Sequence, residues 1–367
     1  MPSATSGRSG AASVPRILVV GGAGYVGSVL TEELVRRGYA VRVLDRLYFG
    51  DAGLRAVRDR IELVTADMRA VPPGTLDGVD AVANLGGLSN DPTAEYNPRA
   101  NREMNTVAVV ALARACKAAG IARYVFASSC SVYDRGTGPD AVDVLQDETS
   151  AVAPRAPYSV SKHDAEQALL QMADAAFCPV ILRKGTIYGH SPRMRYDLVV
   201  NTFVRDALTR GRLSLHQGGE MWRPLVDVRD VAQAYVALLE AEASRVRGEI
   251  FNLCYHNVRI SELALRVREA LRALGVEVDI RPDYGPASVR SYRVSGEKLR
   301  RVLGVAPKVS IEESVADLVS RVRAEGRADF DDPRCYNIRW MQLLEETRRI
   351  AGVGGSVFDV PGAPGPP

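Results

Sequence analysis

The sequence predicts an α/β fold: a doubly wound parallel sheet with helices on both faces, joined to a smaller C-terminal lobe of mixed α/β structure. Two observations carry this prediction. Over residues 16–184, short apolar runs alternate with longer segments whose apolar residues recur at helical spacing. That alternation is typical of right-handed crossovers between parallel strands. The chain has 367 residues, enough for a large domain with a second lobe.

The elements follow from these patterns. The predicted strands of the first half cover residues 16–21, 40–44, 61–65, 80–85, 123–128 and 179–183. The predicted helices between them cover residues 24–37, 101–119 and 158–175. After residue 184 the alternation loosens. Helices are predicted near residues 197–210, 229–242, 260–273 and 310–324, with strand-like pieces at 248–253 and 276–281.

This pattern divides the chain into a first domain over residues 16–184 and a lobe over residues 185–350, some of whose segments return to the first domain. Residues 1–15 are small and polar, without the apolar core of a signal peptide. Residues 351–367 are rich in Gly and Pro. We expect both ends to be disordered tails.

Composition excludes several classes of protein. The 47 basic and 44 acidic residues give a net charge of +3, too small a bias to indicate nucleic-acid binding. The five cysteines are scattered without a CxxC pair, which argues against a disulfide framework and a structural zinc site. No apolar run reaches the roughly 18–20 residues of a membrane span. We therefore expect a cytoplasmic protein that binds neither metal nor membrane.

The strongest local motif is GGAGYVG, in which Gly21, Gly24 and Gly27 form a GxxGxxG pattern between a strand and a helix. Such glycines let the backbone approach a diphosphate, which the helix N-terminus attracts. Asp45 ends the second strand, where a carboxylate can accept both ribose hydroxyls of NAD and repel the 2′-phosphate of NADP. Arg46 is the one feature that favours NADP, and a tight turn without a ligand is the alternative.

Later strand ends add predicted cofactor contacts in this Rossmann-type domain. Asp67 can meet the adenine amine, although an N-cap or surface acid is the alternative. Gly86 and Gly87 leave room for the cofactor to cross the sheet. The predicted dinucleotide-binding residues at these strand ends and in the glycine motif are Gly21, Gly24, Tyr25, Val26, Gly27, Asp45, Asp67, Met68, Leu85, Gly86 and Gly87.

A catalytic pair is predicted at the start of the helix over residues 158–175. Tyr158 and Lys162 form a YxxxK pattern, and residues four apart share one helix face. The ammonium should lower the pKa of Tyr158, so that its phenolate can take a proton from a substrate hydroxyl. Ser129, in the run SSCSVY, ends the preceding strand and can hydrogen-bond the reacting oxygen. An ordinary exposed Tyr–Lys pair is the alternative.

Together with KGTIYG at residues 184–189, these motifs resemble the extended short-chain dehydrogenases/reductases over about residues 16–325. The resemblance is to the NAD-dependent nucleotide-sugar epimerase/dehydratase family, whose best-known member is UDP-glucose 4-epimerase. It implies that Ser129 positions the substrate hydroxyl, that Tyr158 is the acid/base, and that Lys162 holds the nicotinamide ribose. It also implies that Asn105 lies near the cofactor, with a plain polar helix residue as the alternative.

Departures from the family pattern bear on the reaction. The 4,6-dehydratases carry an Asp-Glu pair at Cys130 and Ser131, and the UDP-glucuronate decarboxylases keep a glutamate at Ser131, so both reactions are disfavoured. The sequence predicts epimerisation of a nucleotide-diphosphate sugar at C4 through a transient 4-keto intermediate. The alternatives are a 4-ketoreductase or dehydrogenase, a 3- or 5-epimerase, and a non-catalytic dinucleotide sensor.

The substrate residues are predicted from the same resemblance. Asn201, Arg223 and Arg290 match places where the family grips the base and diphosphate, with surface or interlobe ion pairs as the alternative. Besides Ser129, the neighbouring Cys130 and Ser131 should border the substrate. His190 should also border it, and with Cys130 it could form a second acid/base pair. The alternative is that Cys130 is packed in the core and His190 lies in a loop without a catalytic role. The resemblance further implies a homodimer through helices 101–119 and 158–175.

Overall fold

The computed structural model describes residues 14–133, 144–284, 290–324 and 330–360. The strands in these ranges are β1 Arg16–Val20, β2 Ala40–Asp45, β3 Ile61–Thr65, β4 Ala81–Asn84, β5 Arg123–Ser129, β6 Leu145–Gln146, β7 Cys178–Lys184, β8 Thr186–Tyr188, β9 Arg212–His216, β10 Trp222–Asp227, β11 Glu249–Leu253, β12 His256–Arg259, β13 Asp279–Asp283 and β14 Arg293–Val294. The α-helices are α1 Tyr25–Arg36, α2 Asp91–Tyr96, α3 Pro98–Arg102, α4 Ala108–Ala118, α5 Pro157–Gln171, α6 Val199–Arg210, α7 Val228–Glu240, α8 Ala243–Val246, α9 Ile260–Ala273, α10 Glu297–Leu303, α11 Ile311–Ala324 and α12 Asn337–Ile350.

The predicted parallel sheet is confirmed. Its order is β11-β7-β5-β4-β1-β2-β3, and all neighbouring strands run parallel. The chain begins at β1, moves outward to β3, and then returns to the other side of β1 through β4. The strand order therefore reverses between β1 and β4, which opens a crevice at the carboxyl ends of these strands.

Both faces of the sheet are buried, which explains why its strands read as continuous apolar runs. In β1, Leu18 and Val19 point to opposite faces and both are fully buried. Leu18 belongs to a core that includes residues of α4 and α5, whereas Val19 belongs to a core that includes residues of α1 and α7. Helix α7 and strand β11 thus return to the first domain from the segment predicted as the lobe.

A smaller group of strands and helices packs outside this sheet, in the segment predicted as the lobe. Strands β8 and β10 pair in parallel, and β12 joins β10 in antiparallel fashion. A second pair, β9 with β13, lies against α6 and α9. Helices α6, α9 and α11 bury one apolar core between them. Its strands lie outside the seven-stranded sheet, so the lobe adds a separate layer beside the crevice.

The predicted helix over residues 101–119 is more complex than its periodicity suggests. Helix α3 begins at Pro98, after Asn97 caps it by accepting the Ala100 N–H at 2.9 Å. A π-helical turn over Glu103–Val107 then leads into α4. The turn carries Asn105, whose side-chain N–H donates to the Leu88 carbonyl at 2.9 Å. π-turns recur at functional sites.

The C-terminal end differs from the disordered tail that composition predicts from residue 351. After α12, Val357 and Phe358 are buried in the core on the α4 and α5 face of the sheet. Burial of these two apolar side chains offsets the conformational entropy that is lost when this glycine-rich segment becomes ordered. Residues 1–13 and 361–367 lie outside the described ranges. Among the described helices, none is long and apolar enough to cross a membrane.

Candidate active site

A cavity of about 370 Å³ follows the carboxyl ends of the parallel strands, where the strand order reverses. Most residues that the sequence predicts for the site line it. They are Gly21, Gly24, Tyr25, Val26, Gly27, Asp45, Asp67, Met68, Leu85, Gly86, Gly87, Ser129, Ser131, Tyr158, Lys162 and Arg290. Among these predicted residues, Gly21 and Arg290 are 269 positions apart in the sequence, yet both border the same cleft.

The three motif glycines have different reasons to be glycine. Gly21 has a φ of +76°, and a Cβ atom there would lie 2.9 Å from the Gly86 nitrogen. A Cβ atom on Gly27 would collide with the Gly21 carbonyl. Both positions are therefore fixed by packing. At Gly24, a Cβ atom would meet only the Gly21 oxygen at 3.2 Å, so this glycine leaves open space at the cavity.

The N-terminus of α1 fits a diphosphate. The helix begins at Tyr25, directly after Gly24, and no side chain caps it. The first N–H groups of a helix have no partner within it, and they carry the positive end of the helix dipole. Open space at Gly24 gives an anion access to these groups. The motif therefore suits the diphosphate of a dinucleotide cofactor.

Asp45 has lone pairs left for a ligand. One carboxylate oxygen accepts the Ala23 N–H at 2.9 Å, and the other accepts the Leu47 N–H at 2.7 Å. A carboxylate offers about four acceptor sites, so each oxygen retains one. Burial raises the pKa of this carboxyl above its ordinary value. The geometry suits the two hydroxyls of a ribose.

Asp67 is already satisfied by protein donors. Its oxygens accept three hydrogen bonds from Arg69, between 2.8 and 3.0 Å, and one of 2.8 Å from Arg46. Burial raises the pKa of Asp67, but the hydrogen bonds and charges of these arginines outweigh it and hold the pKa below its usual range. These four bonds use the acceptor sites that contact with an adenine amine would need. The contacts thus argue against the predicted adenine role of Asp67.

The predicted catalytic residues lie together at the other end of the cavity. Ser129 ends β5, Tyr158 is the second residue of α5, and both residues line the cavity. The Lys162 Nζ atom lies 5.8 Å from the centre of the Tyr158 ring. It also lies 4.9 Å from the centre of the Phe126 ring. A hydroxyl, a phenol and an ammonium therefore border the same part of the cleft.

The pKa of Tyr158 is shifted opposite to our prediction. Burial raises it to about 12, while Arg195 and the hydrogen bond from Ser129 oppose the rise. Burial also lowers the pKa of Lys162 to about 8. In a buried site the cost of desolvating a phenolate exceeds the attraction of a cation that is not in contact. Arg195, which was not predicted for the site, is thus the cation whose charge favours the phenolate.

The substrate end contains a chain of polar contacts. Arg290 forms an ion pair with Asp91. Its other guanidinium nitrogen lies 3.3 Å from the Ser159 hydroxyl, which donates to Ser131 at 2.9 Å. Tyr292 also lines this end. Arg290 and Ser131, which were predicted to contact the substrate, thus line the cavity. Asp91, which was not predicted, lines it as well.

Two predicted asparagines lie behind the cavity wall. Asn201 is fully buried and bonds the Gly189 N–H, the Tyr25 hydroxyl and the Arg195 carbonyl. Asn105 is also fully buried and sits against Gly87, where a Cβ atom would collide with its amide oxygen. Their contacts support the residues that line the cavity.

Three other predicted substrate residues also lie outside the lining. Cys130 is fully buried and donates to the Arg183 carbonyl, and burial raises its pKa well above the ordinary value. Burial lowers the pKa of His190 to about 4. Arg223 donates to the carbonyl of Arg290. Cys130 and His190 are adjacent in sequence to the motifs, but neither residue lines the cavity. Proximity in sequence was therefore not enough to place them at the substrate.

Several residues that line the cavity were not predicted as site residues. They are Phe49, Lys184, Arg193, Arg195, Asn337 and Met341. Arg193 and Arg195 stand two apart in the run SPRMRYD, so alternating arginines after a strand were an available signal. No local pattern marks Asn337 or Met341, because each reaches the site only through contacts distant in the chain.

Comparison with known proteins agrees with this site. The chain is 27% identical over 327 residues to a UDP-N-acetyl-alpha-D-glucosaminuronate decarboxylase of Bacillus cytotoxicus, covering 84% of this chain and 98% of that protein. It is 25% identical over 319 residues to a putative UDP-glucose 4-epimerase of Methanocaldococcus jannaschii, covering 85% and 99%. The animal UDP-glucuronic acid decarboxylases that it resembles are matched over only 54–55% of their length.

A solved structure shares the fold. MoeE5, in complex with UDP-glucose and NAD, superposes with a TM-score of 0.71 at 25% identity, covering 84% of this chain and 99% of that one. The model of the NAD dependent epimerase/dehydratase family matches residues 17–254, which include the glycine motif, Asp45, Ser129 and the Tyr158–Lys162 pair. The chain therefore belongs to the NAD dependent epimerase/dehydratase family, and NAD is its cofactor.

Proposed function

We propose that the protein epimerises a nucleotide-diphosphate sugar at C4 through a transient 4-keto intermediate. The observation that carries the proposal is the set of acidic and basic groups around the cavity. At the catalytic end, Ser129 and Tyr158 supply one proton-transfer centre. The next residues along the chain, Cys130 and Ser131, add no carboxylate.

The carboxylates that line the cavity within the described ranges are Asp45, Asp67 and Asp91. Asp45 is at the glycine motif, Asp67 is held by two arginines, and Asp91 pairs with Arg290. None of the three is hydrogen-bonded to Ser129, and Asp91, at the substrate end, is engaged by Arg290, so no free acid among the described residues is positioned there to protonate a leaving hydroxyl at C6. This arrangement supports chemistry at one carbinol carbon over elimination of water.

The side chains divide the proposed work as follows. When bound, NAD supplies reversible hydride transfer at the reacting carbon. Tyr158 accepts the hydroxyl proton of the sugar and later returns it to the carbonyl oxygen. Ser129 hydrogen-bonds the same sugar oxygen, Arg195 supplies positive charge that favours the phenolate, and Lys162 holds the nicotinamide ribose. Arg290 suits the diphosphate, because its planar fork can pair two oxygens.

The relatives that decarboxylate uronic acids make decarboxylation the competing reaction. The resemblance gives those enzymes a glutamate at the position of Ser131, and here Ser131 accepts a hydrogen bond from Ser159. A 3- or 5-epimerase would need a second acid/base at the sugar. Cys130 and His190, the residues that suggested it, do not line the cavity.

A 4-ketoreductase or dehydrogenase is the second candidate, because the same Tyr158–Lys162 pair would serve it. The two differ in what happens to the cofactor. An epimerase regenerates NAD within each turnover, whereas a net oxidoreductase must exchange it. Protein passed through gel filtration should retain NAD in near-stoichiometric amount if it is an epimerase.

The decisive experiment follows a label at C4. A nucleotide-hexose carrying deuterium at C4 should keep it at C4 of the epimer, with little exchange into solvent. Solvent deuterium at C3 or C5 of the product would indicate a 3- or 5-epimerase. A 4-keto-6-deoxy sugar or a pentose product by mass spectrometry would instead overturn C4 epimerisation in favour of dehydration or decarboxylation.

We also propose a homodimer, which the family resemblance implies. Helices α4 and α5 pack on each other, and Val107, the last residue of the π-helical turn before α4, is 49% exposed. A single exposed apolar residue is ordinary on a protein surface, so the dimer rests on the resemblance, and Val107 is the position that tests it. Light scattering should give twice the chain mass. Val107→Arg should shift the protein towards the monomer, whereas a monomeric wild type would exclude the dimer.

A further inference from the structure

Helix α12 and the residues after it, together called the C-terminal segment (residues 337–360), lie against the cofactor end of the cavity. Asn337 and Met341 line the cavity beside residues of the first domain. Met341 is 2% exposed and shares a core with Val357 and Phe358. The family match ends at residue 254, so it does not include this segment.

The C-terminal segment is bonded to the loops that follow β2 and β3. The Trp340 indole N–H donates to the Tyr48 carbonyl at 2.5 Å. The Val357 carbonyl accepts from Arg46 at 2.9 Å and from Tyr48 at 3.0 Å. The Phe358 carbonyl accepts from Arg69 at 2.6 Å. Arg46 and Arg69 are also the residues that hold Asp67, so the segment is connected to the wall beside Asp45.

Its first residue reaches a buried cation. The Asn337 side-chain oxygen accepts from Arg193 at 2.6 Å, and its nitrogen donates to Ser89 at 2.7 Å. The Arg193 guanidinium stacks on the Phe49 ring, 3.7 Å from its centre. Its Nε is buried without a hydrogen-bond partner in the described part of the chain. Arg193 also forms no ion pair within 4 Å in those ranges.

We propose that the C-terminal segment is part of the dinucleotide site: it closes the adenosine side of the cavity and, through Asn337, holds Arg193 where its charge meets the cofactor diphosphate. Two observations point to a ligand rather than to packing alone. Asn337 and Met341 face the cavity. Arg193 lines the cavity and presents a buried cation with an unused donor. Its Cβ atom lies near the glycine motif, because a Cβ atom added at Gly53 would be 3.0 Å from it and 3.2 Å from the Ala23 oxygen.

The chemistry is complementary. Burying a guanidinium without an anionic partner is unfavourable in free energy. A dianionic diphosphate would offset this through charge-assisted hydrogen bonds. Bonds from the segment to four loops, those after β2, β3, β4 and β8, would have to break before the cofactor could leave by this side. The segment should therefore slow dissociation of NAD as well as strengthen its binding. The inference rests on the NAD site and holds for any reacting carbon of the sugar.

The test measures cofactor binding in the full chain, without any sugar. Asn337→Ala should raise the Kd for NAD about tenfold, the effect of losing a hydrogen bond that orients a charged group. Trp340→Phe keeps the ring packing but loses one N–H bond, and should speed NADH dissociation by about three- to tenfold in stopped-flow fluorescence. Leu343→Ala is the matched control, because Leu343 is 43% exposed on the same helix.

The outcomes separate a binding role from a structural one. Thermal unfolding of each variant without nucleotide shows whether the fold has been weakened. Expected is a higher Kd or faster dissociation for Asn337→Ala and Trp340→Phe, with Leu343→Ala unchanged. If both variants fold and bind NAD within twofold of wild type, or if Leu343→Ala weakens binding equally, the proposal is wrong. Because no substrate is present, these results do not depend on C4 epimerisation.

Discussion

Arg183 and Arg193 are both almost fully buried, 2% and 7% exposed, yet their guanidinium groups have different partners. Arg183, in β7, pairs with Glu166 at 2.6 and 2.9 Å and donates to Tyr133 at 2.8 Å. These contacts raise its pKa despite burial. Arg193 has one side-chain acceptor, Asn337, and burial lowers its pKa. A buried charge that is paired with an opposite charge, as in Arg183, stabilises the fold. A buried charge without such a partner beside a cavity, as in Arg193, indicates a ligand.

The same contrast separates two carboxylates at neighbouring strand ends. Asp67, after β3, accepts four hydrogen bonds from arginines, whereas Asp45, at the end of β2, accepts two from backbone N–H groups. Sequence position alone assigned both carboxylates to the cofactor, Asp45 to the ribose hydroxyls and Asp67 to the adenine amine. The donors that surround each one favour a structural role for Asp67 and a ligand role for Asp45.

The largest effect should come from breaking the matched pair. Glu166→Gln leaves the Arg183 guanidinium buried without its counter-charge, and the free energy of unfolding should fall by about 3–5 kcal/mol. Urea denaturation measures it. Glu312→Gln is the control, because the Arg266–Glu312 pair is partly exposed and should contribute less than about 1 kcal/mol. An equal loss in both variants would contradict the assignment of a scaffold role to Arg183.

Tyr158 tests the catalytic end of the cavity. Tyr158→Phe should reduce turnover by roughly 10²-fold or more, because the proton-transfer group is lost. The ring stays buried, so unfolding and the Kd for NAD should remain close to wild type. Steady-state assays with the identified nucleotide sugar, together with an NAD titration, measure both. Turnover within a few-fold of wild type would contradict the acid/base assignment.

Arg193 should behave unlike Glu166. Arg193→Met removes an unmatched buried charge, so stability without nucleotide should stay the same or rise. Affinity for ADP should fall by about 30-fold, since a buried charge-assisted contact is lost. Affinity for adenosine, which lacks phosphate, should be nearly unchanged. Calorimetric titration with the two ligands makes the comparison. Equal losses for adenosine and ADP would show that Arg193 shapes the pocket and does not bind phosphate.

The two carboxylates should differ in cofactor selectivity. Asp45→Asn removes repulsion towards a 2′-phosphate, so the preference for NAD over NADP should narrow by about tenfold, the effect of roughly 1.4 kcal/mol. Asp67→Asn should lower stability, because Arg46 and Arg69 lose their counter-charge, and leave the NAD to NADP ratio unchanged. Fluorescence titrations with both reduced cofactors give the ratio. If Asp67→Asn alters it more than Asp45→Asn, the assignments must be exchanged.

Much of the fold could be predicted because its signals are local. Each strand of the parallel sheet is a short apolar run, and the glycine motif and YxxxK pattern fix two ends of the site within a few residues of sequence. The C-terminal segment had no such signal. Trp340 and Tyr48 are 292 residues apart, and such a contact leaves no periodic trace.

The direction of side chains was also beyond the sequence. Cys130 follows Ser129, yet it bonds to Arg183 and faces away from the cavity, because successive residues leave the end of β5 in different directions. The pKa of Tyr158 was misjudged for a related reason. Spacing placed Lys162 on the same helix face, but burial of the phenol depends on the whole fold.

The smallest effect concerns His190, which, like Asp45 and Arg193, has a pKa shifted by burial of its side chain. Burial first, and then the charge of Arg321, lower its pKa from 6.5 to about 4. The unfolded chain therefore binds a proton on this residue at a higher pH than the folded protein does. Stability from His190 is complete above pH 6.5 and is lost as the pH falls towards 4. Between pH 7 and pH 5 the loss should be on the order of 1 kcal/mol, allowing for partial exposure of the ring. Urea denaturation at both pH values, for wild type and His190→Gln, isolates this term, because other groups titrate alike in both proteins. The variant should show the smaller decrease. If the two proteins lose the same free energy, His190 keeps an ordinary pKa when folded and lies in water, not in the packed wall of the lobe.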